Sequence, residues 1–289
     1  MKIIDGKAIA AQIQEELKSS IHLTQGRRPC LAVILVGEHA PSLIYVNRKA
    51  QACESIGILS IQKRLPAAIS EKELLSELEQ LNKNPNVDGI LVQLPLPEHI
   101  NPMTVIHRID PEKDVDGLHP LNAGKLLIGD NDGFTPCTPL GIKVLMERSG
   151  IEVSSKHVVV LGRSNLVGKP VAALLMQNAP GANATVTIGH SRSNNLKNLC
   201  HLADILIVAI GQPRFVTPDM IKQGAVVIDV GINKIQDPTL PNGYKLVGDV
   251  DFDKVKEKCS FITPAPGGVG PMTIAMLLSN TWKSYMRKF

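Results

Sequence analysis

Aromatic side chains are scarce in this chain, at 3% of its 289 residues. Its core must therefore be filled by Val, Ile, Leu and Ala. That favours buried parallel strands, which read as aliphatic runs rather than as alternating patterns. Long apolar runs are missing too, and none approaches the roughly 18 residues that a membrane span needs. At the N-terminus, MKIIDGKAIA carries Asp5 and Lys7 where a signal peptide needs its apolar stretch. The five cysteines (Cys30, Cys53, Cys137, Cys200, Cys259) are odd in number, far apart and never in C-x-x-C. Reduced thiols in a cytoplasmic protein are the expectation. Eight histidines show no H-x-x-x-H or other ligand spacing, so no metal is expected. The net charge of +4 comes from basic residues that are scattered along the chain, which implies neither nucleic acid nor a membrane as partner.

Length and rhythm are what the chain does have. Its size gives a prior of two domains. In the first half, GKAIAAQIQEELKSSI repeats Ile9, Ile13, Leu17 and Ile21 every four residues, which predicts an amphipathic helix. CLAVILVG reads as a buried strand, IQKRLP as a second and VDGILVQLPLP as a third that stops at Pro95. SEKELLSELEQLNKN predicts a helix capped at Ser70, with Glu73 in the capping-box position. From Pro111 to about Gly141 the texture turns to Gly, Pro, Asp and Asn with little periodicity. A structureless run of that length is more often functional than accidental.

A second alternating block follows. HVVVLG, ATVTIGH, DILIVAIG and AVVIDVGIN predict strands, separated by VGKPVAALLMQ, NNLKNLCHLA and PDMIKQG as short helices. Strands alternating with helices predict a parallel α/β sheet. In VVVLGRSNLVGKP a strand delivers Gly162 into a tight turn and a helix starts near Val167. Backbone N–H groups at such a start can hold a pyrophosphate. The pattern is G-x-S-x-x-x-G, with Ser164 where the dinucleotide fingerprint has its second glycine; strand–Gly–helix turns without a ligand share it. The next strand ends TIGHSRS, with His190, Ser191 and Arg192 where an NAD site would carry an acid. With Arg163 nearby, these donors suit a 2′-phosphate, so NADP is expected in preference to NAD.

The segment YVNRK sets Tyr45 and Lys49 four apart, neighbours on one helix face. Together with DGILVQLPLP, PEKDVDGLHPLNAGKL, TPCTPLG, GRSNLVGKP, VIDVGIN, VGDVDF and PAPGGVGPMT, it resembles, in order and spacing, the bifunctional methylenetetrahydrofolate dehydrogenase/cyclohydrolase family. The resemblance implies two α/β domains flanking a cleft: a catalytic, folate-holding domain of residues 1–140 and a Rossmann-like NADP-binding domain of residues 141–271. Residues 272–289 would form a last helix packed back on the first domain. It further implies a homodimer joined through the Rossmann domains, NADP as cofactor, and a place in one-carbon metabolism that serves purine, methionine and histidine biosynthesis.

Carried onto matching positions, the family pattern makes Lys49 the central catalytic residue, with Tyr45 beside it and Gln93 in contact with it. Asp116, in DVDG, resembles the residue that grips the pterin. Pro266, Gly267, Gly268, Val269 and Gly270 would line the other side of the substrate. Gly162, Arg163 and Ser164, with Ser191, Arg192 and Ile232, would bind NADP. Two other readings are a monofunctional dehydrogenase of the same family and a short-chain-type NADP oxidoreductase, which also uses Tyr-x-x-x-Lys. In the latter fold the pair follows the cofactor loop, whereas here Tyr45 precedes Gly162.

Overall fold

A computed structural model describes residues 1–241 and 243–288, with Ala40 and Pro41 described by their backbone alone. Backbone contacts gather the chain into two compact units, one of Ala11–Cys137 with Ile274–Phe289 and the other of Met1–Ala10 with Thr138–Thr273. Each is an α/β unit with a parallel sheet.

The chain opens on β1 (Lys2–Ile3) and α1 (Gly6–Leu23). Asp5, the residue that spoils a signal peptide, starts this helix by accepting the N–H groups of Lys7 and Ala8, each at 3.0 Å. The four-residue repeat then buries Ile13, Leu17 and Ile21. Next come β2 (Cys30–Val36), α2 (Ala40–Ile56), β3 (Leu59–Leu65), α3 (Glu71–Lys83) and β4 (Gly89–Val92). The three strands form a parallel sheet in the order β3-β2-β4. Every residue of central β2 is buried, as its unbroken aliphatic sequence requires. Helix α3 covers that sheet with Leu74, Leu78 and Leu81, and its Ser70–Glu73 capping box forms in both directions. Gly57 ends α2 at φ 93°, donating back to Cys53 and Glu54.

The Gly- and Pro-rich stretch holds more structure than its texture predicts. Helix α4 (Pro102–Arg108) starts at the Asn101 cap, and α5 (Pro120–Ile128) starts where His119 Nδ1 accepts Leu121 N–H at 3.1 Å. Both are too short to show a periodic face, and Gly124 interrupts the second.

Beyond α6 (Cys137–Arg148) lie β5 (His157–Leu161), α7 (Gly168–Leu175), β6 (Thr185–Gly189), α8 (Leu196–His201), β7 (Ile205–Val208) and β8 (Val226–Asp229). PDMIKQG is only a single 3-10 turn, Pro218–Met220. The chain continues through β9 (Asn233–Gln236), β10 (Tyr244–Val247), α9 (Phe252–Val255), β11 (Phe261–Ile262) and α10 (Val269–Met286). Strands β9 and β10 form an antiparallel hairpin that the sequence reading overlooked, because each is only four residues of mixed polarity. The large sheet runs β1-β11-β8-β7-β5-β6. Its first strand comes from the N-terminus: Lys2 and Ile3 pair with Phe261 and Ile262. Residues 1–10, expected in the N-terminal domain, therefore cluster with the second unit. Strand β5 lies between β6 and β7, so the winding reverses there, and the carboxyl ends of β5 and β7 are where such sheets open a ligand crevice.

In the first unit a buried carboxylate holds the chain just beyond α10. Asp88, fully buried, accepts from Arg27 at 2.6 and 2.7 Å, from Lys288 at 2.8 Å and from Cys30 N–H at 2.9 Å. Burial pushes its pKa up, but the Arg27 and Lys288 donors outweigh that and hold it below the usual carboxylate value. Its contribution to stability is thus present above the unfolded carboxylate pKa and is lost as pH falls through the lower folded value. Asp88→Ala, which strands the Arg27 cation, is expected to lower urea-denaturation stability by roughly 3 kcal/mol at pH 7. A loss equal to that of an exposed aspartate substitution would show that the cluster carries no such weight.

Candidate active site

Helix α2 buries Val46, Ala50 and Cys53 against its sheet, which leaves Tyr45 and Lys49 one turn apart on the neighbouring stripe. Tyr45 is exposed and Lys49 half-buried. Lys49 Nζ donates to Gln93 Oε1 at 2.9 Å, and Gln93 Nε2 donates to Leu94 O at 2.8 Å. The second bond decides which end of the carboxamide faces the amine. Gln93 follows β4 and its own N–H continues the pairing, bonding to Ile34 O at 2.9 Å. A strand end thus delivers a neutral acceptor to a helix amine. Burial lowers the pKa of Lys49 from the ordinary lysine value, and the negative charge of Asp116 opposes that shift. The amine accordingly gives up its proton more readily than a surface lysine.

Asp116 sits in a turn whose shape is set by its neighbours. Buried Asp114 accepts from Leu118 N–H at 3.2 Å, His119 N–H at 2.7 Å and Asn122 Nδ2 at 2.8 Å. Burial raises the Asp114 pKa to about 6 despite these donors. Gly117, at φ 72°, brings the turn against the run before α6; a Cβ there would meet Pro136 N at 2.6 Å and Thr135 C at 2.7 Å. Asp116 itself stays half-buried beside the Cys137 thiol. Burial, then the Asp116 charge, pushes the Cys137 pKa well above the ordinary thiol value, so this cysteine is an inert neighbour. Tyr45, Lys49, Gln93 and Asp116 all belong to the first unit.

The remaining expected site residues belong to the second unit. Gly162 follows β5 at φ 116°, and a Cβ there would collide with Ala209 O beyond β7; a Cβ on Gly168 would collide with Gly162 O. The turn is therefore a cradle in which only glycine permits the backbone contact, the fit that a pyrophosphate loop requires. Ser164 plays a different local part from a second glycine: its Oγ accepts Val167 N–H at 3.1 Å and Gly168 N–H at 3.4 Å, at the start of α7. Gly162 N–H donates to Gly189 O at 2.9 Å, which sets the turn after β5 beside the turn after β6. Arg163, Ser191 and Arg192 are all exposed there.

Ile232 is exposed just past β8, and a side chain added at Gly270 would come within 3.5 Å of its Cδ1. The Pro266–Gly270 segment leads into α10, with Gly268 N–H bonded to Pro264 O at 2.9 Å. Two buried carboxylates that the sequence reading passed over organise this end of the sheet. Asp229 accepts from Gly231, Asp249 and Val250 N–H, each at 3.0 Å. Asp249 accepts from Ile210 and Gly211 N–H at 2.8 and 2.9 Å and from Asn233 Nδ2 at 2.8 Å. Their only signal in the sequence was position, in VIDVGIN and VGDVDF. Among the described residues no group of three or more His, Cys, Asp or Glu side chains could hold a metal ion.

A parallel sheet with a glycine cradle at its winding reversal, in a chain that also forms a second α/β unit, defines a two-domain protein with a dinucleotide-binding domain. The chain belongs to the tetrahydrofolate dehydrogenase/cyclohydrolase family: residues 4–116 match its catalytic domain and residues 136–289 its NAD(P)-binding domain. It is 62% identical to the bifunctional protein FolD of Protochlamydia amoebophila over 285 residues, covering 99% of this chain and 98% of that one. The crystal structure of the bifunctional FolD methylenetetrahydrofolate dehydrogenase/cyclohydrolase of Campylobacter jejuni matches with a TM-score of 0.94 at 47% identity, over 100% of both chains. The Trypanosoma brucei enzyme, solved with NADP and an inhibitor, matches with a TM-score of 0.93 at 41% identity, over 99% of this chain and 97% of that one. No helix among the described residues is long and apolar enough to cross a membrane.

Because the Asp116 charge opposes the effect of burial on Lys49, Asp116→Asn is expected to lower the Lys49 pKa further. NMR titration of 13C-methylated lysines reads this directly, with Lys49 titrating below the exposed lysines in the parent protein. A value in the variant equal to or above the parent's would contradict the coupling.

Proposed function

We propose that this chain oxidises 5,10-methylenetetrahydrofolate to the 5,10-methenyl cation and hydrolyses that cation to 10-formyltetrahydrofolate. NADP, when bound, takes up the hydride that leaves the bridging carbon. The protein's part in that step is orientation, because a donor carbon held in near-attack position needs little further help. The Asp116 carboxylate accepts N–H groups at the pterin edge and fixes the ring with charge-assisted bonds. Tyr45 offers a flat surface to the p-aminobenzoyl ring. Pro266, Gly267, Gly268, Val269 and Gly270 line the substrate with backbone and small side chains. The Gly162–Ser164 turn would hold the pyrophosphate, Ser191 and Arg192 the 2′-phosphate, and Ile232 would adjoin the cofactor.

The hydrolytic half needs a proton carrier. Water adds to the cationic carbon and must lose a proton; the bond from that carbon to N5 then breaks, and N5 takes a proton up. An ordinary lysine, with pKa about 10.4, is too firmly protonated to receive the first. Lys49 is lowered by burial, and a cationic substrate beside it lowers it further. Gln93 holds the amine without adding a charge that would restore its proton affinity. The observation that carries this reading is the lowered, Gln93-held amine of Lys49 in a chain of this family. The same reading places the protein in the cytoplasm as a homodimer joined through its cofactor domains, feeding one-carbon units to purine, methionine and histidine synthesis.

Lys49→Met is expected to cut methenyl hydrolysis by about 10²–10⁴-fold, the range of general acid–base catalysis, while NADP binding and thermal stability survive. Undiminished loss of methenyl absorbance in that variant would remove Lys49 from the mechanism. Arg192→Ala is expected to raise the KM for NADP about tenfold with little change for NAD, the scale of one charge-assisted phosphate bond. An equal effect on both cofactors would move the 2′-phosphate elsewhere.

A further inference from the structure

We infer that Asn280, far down α10, is a positioning residue for the pterin-gripping carboxylate of Asp116. The inference rests on the assignment of Asp116 made above. Asn280 is buried, 3% exposed, and its Nδ2 donates to Val115 O at 2.9 Å and to Thr135 O at 3.1 Å. A carboxamide nitrogen carries two protons, so each carbonyl has one. The same nitrogen lies 3.8 Å from Cys137 Sγ, and that thiol also donates to Val115 O, at 3.3 Å.

The carbonyl of Val115 belongs to the peptide plane that runs through Asp116 N to its Cα. Because that plane is rigid, holding its oxygen helps to fix where the Asp116 Cα, the root of its carboxylate side chain, is placed. The second carbonyl lies on the run that Gly117 approaches most closely, at Thr135 and Pro136. One side chain therefore ties together the two backbones between which Asp116 emerges. Asp114 shapes the turn from within, through bonds to residues four to eight positions on. Asn280 supplies the external reference, from 165 residues away in the chain.

Ser284 on the same helix provides the comparison. Its Oγ contacts Asp88 O at 2.6 Å and Glu112 O at 2.9 Å, an anchoring of the same kind that does not touch the Asp116 peptide. If α10 merely stabilises the unit, the two residues are equivalent. If Asn280 positions Asp116, only one of them governs folate affinity.

The test compares Asn280→Ala, Ser284→Ala and Asp116→Asn in the full-length protein, with KM for methylenetetrahydrofolate and for NADP, kcat and thermal midpoint measured for each. Asn280→Ala is expected to raise the folate KM about tenfold, as for a misdirected charged hydrogen bond, with kcat and the NADP KM within about twofold. Ser284→Ala is expected to lower the thermal midpoint and leave both KM values unchanged. An unchanged folate KM in Asn280→Ala overturns the inference, as does an equal KM change in Ser284→Ala. Should Asn280→Ala not fold, Asn280→Ser is measured in its place; failure of both to fold marks Asn280 as structural and also overturns it. If Asp116→Asn leaves the folate KM unaltered, the role of Asp116 itself falls. If Asp116→Asn raises it and Asn280→Ala does not, only the positioning role falls.

Discussion

Peptide groups that are buried outside helices and sheets still need partners, and each one left dry costs as much as a lost hydrogen bond. The segment from Asp110 to Pro136 faces this demand throughout, because it carries Asp116 yet has only the short α5 as regular structure. Side chains answer it. Asp114 takes backbone N–H groups from within the turn, and Asn122 donates to Pro111 O. The C-terminal helix does the rest, with Asn280, Lys283 and Ser284 each donating to carbonyls of the segment. An irregular loop becomes a firm support for a carboxylate because its polar groups are paired by its own backbone, by its own Asp114 and Asn122, and by side chains of the C-terminal helix.

The second unit solves the same problem with carboxylates instead of carbonyl-directed donors. Asp229 and Asp249 gather six N–H groups, among them those at the ends of β7 and β8, where a parallel sheet leaves its loops without ladder partners. Burial lifts the Asp229 pKa to about 6, a sign that the site is organised at some electrostatic cost. Glycine does the complementary work at Gly162 and Gly168, where backbones touch at a distance no side chain would allow. Both units thus pair the polar groups of the loops that carry Asp116 in one and Gly162 in the other.

Lys49 illustrates how little it takes to shift an amine. A helix stripe, one strand-end glutamine and partial burial are enough to lower the amine, while Asp116 keeps the shift from going further. On the proposed function the opposition has a use: a fully neutral amine would lose its attraction to the Asp116 carboxylate, and a fully charged one would repel the cationic intermediate.

Much of this was legible in the residues. The Ile13–Leu17–Ile21 stripe, the Ser70–Glu73 box, the aliphatic strands and the Gly162 turn each carry a local physical rule, and each element formed where its rule placed it. The short α4 and α5, the β9–β10 hairpin and the pairing of β1 with β11 were not legible, since none is long enough to show a period and the last joins residues some 260 positions apart. The sequence by itself determined which elements form, because those depend on neighbours within a turn or a strand, while the choice of candidate site residues came from the resemblance of its motifs to a known family. The contact of Gln93 with Lys49 was expected from the family resemblance alone, and only the tertiary structure decided its atoms and distance, that Asp229 and Asp249 share a set of loops, and that Asn280 bonds the peptide before Asp116. Those contacts arise from chain segments that share no local pattern and come together only when the sheets and the last helix pack.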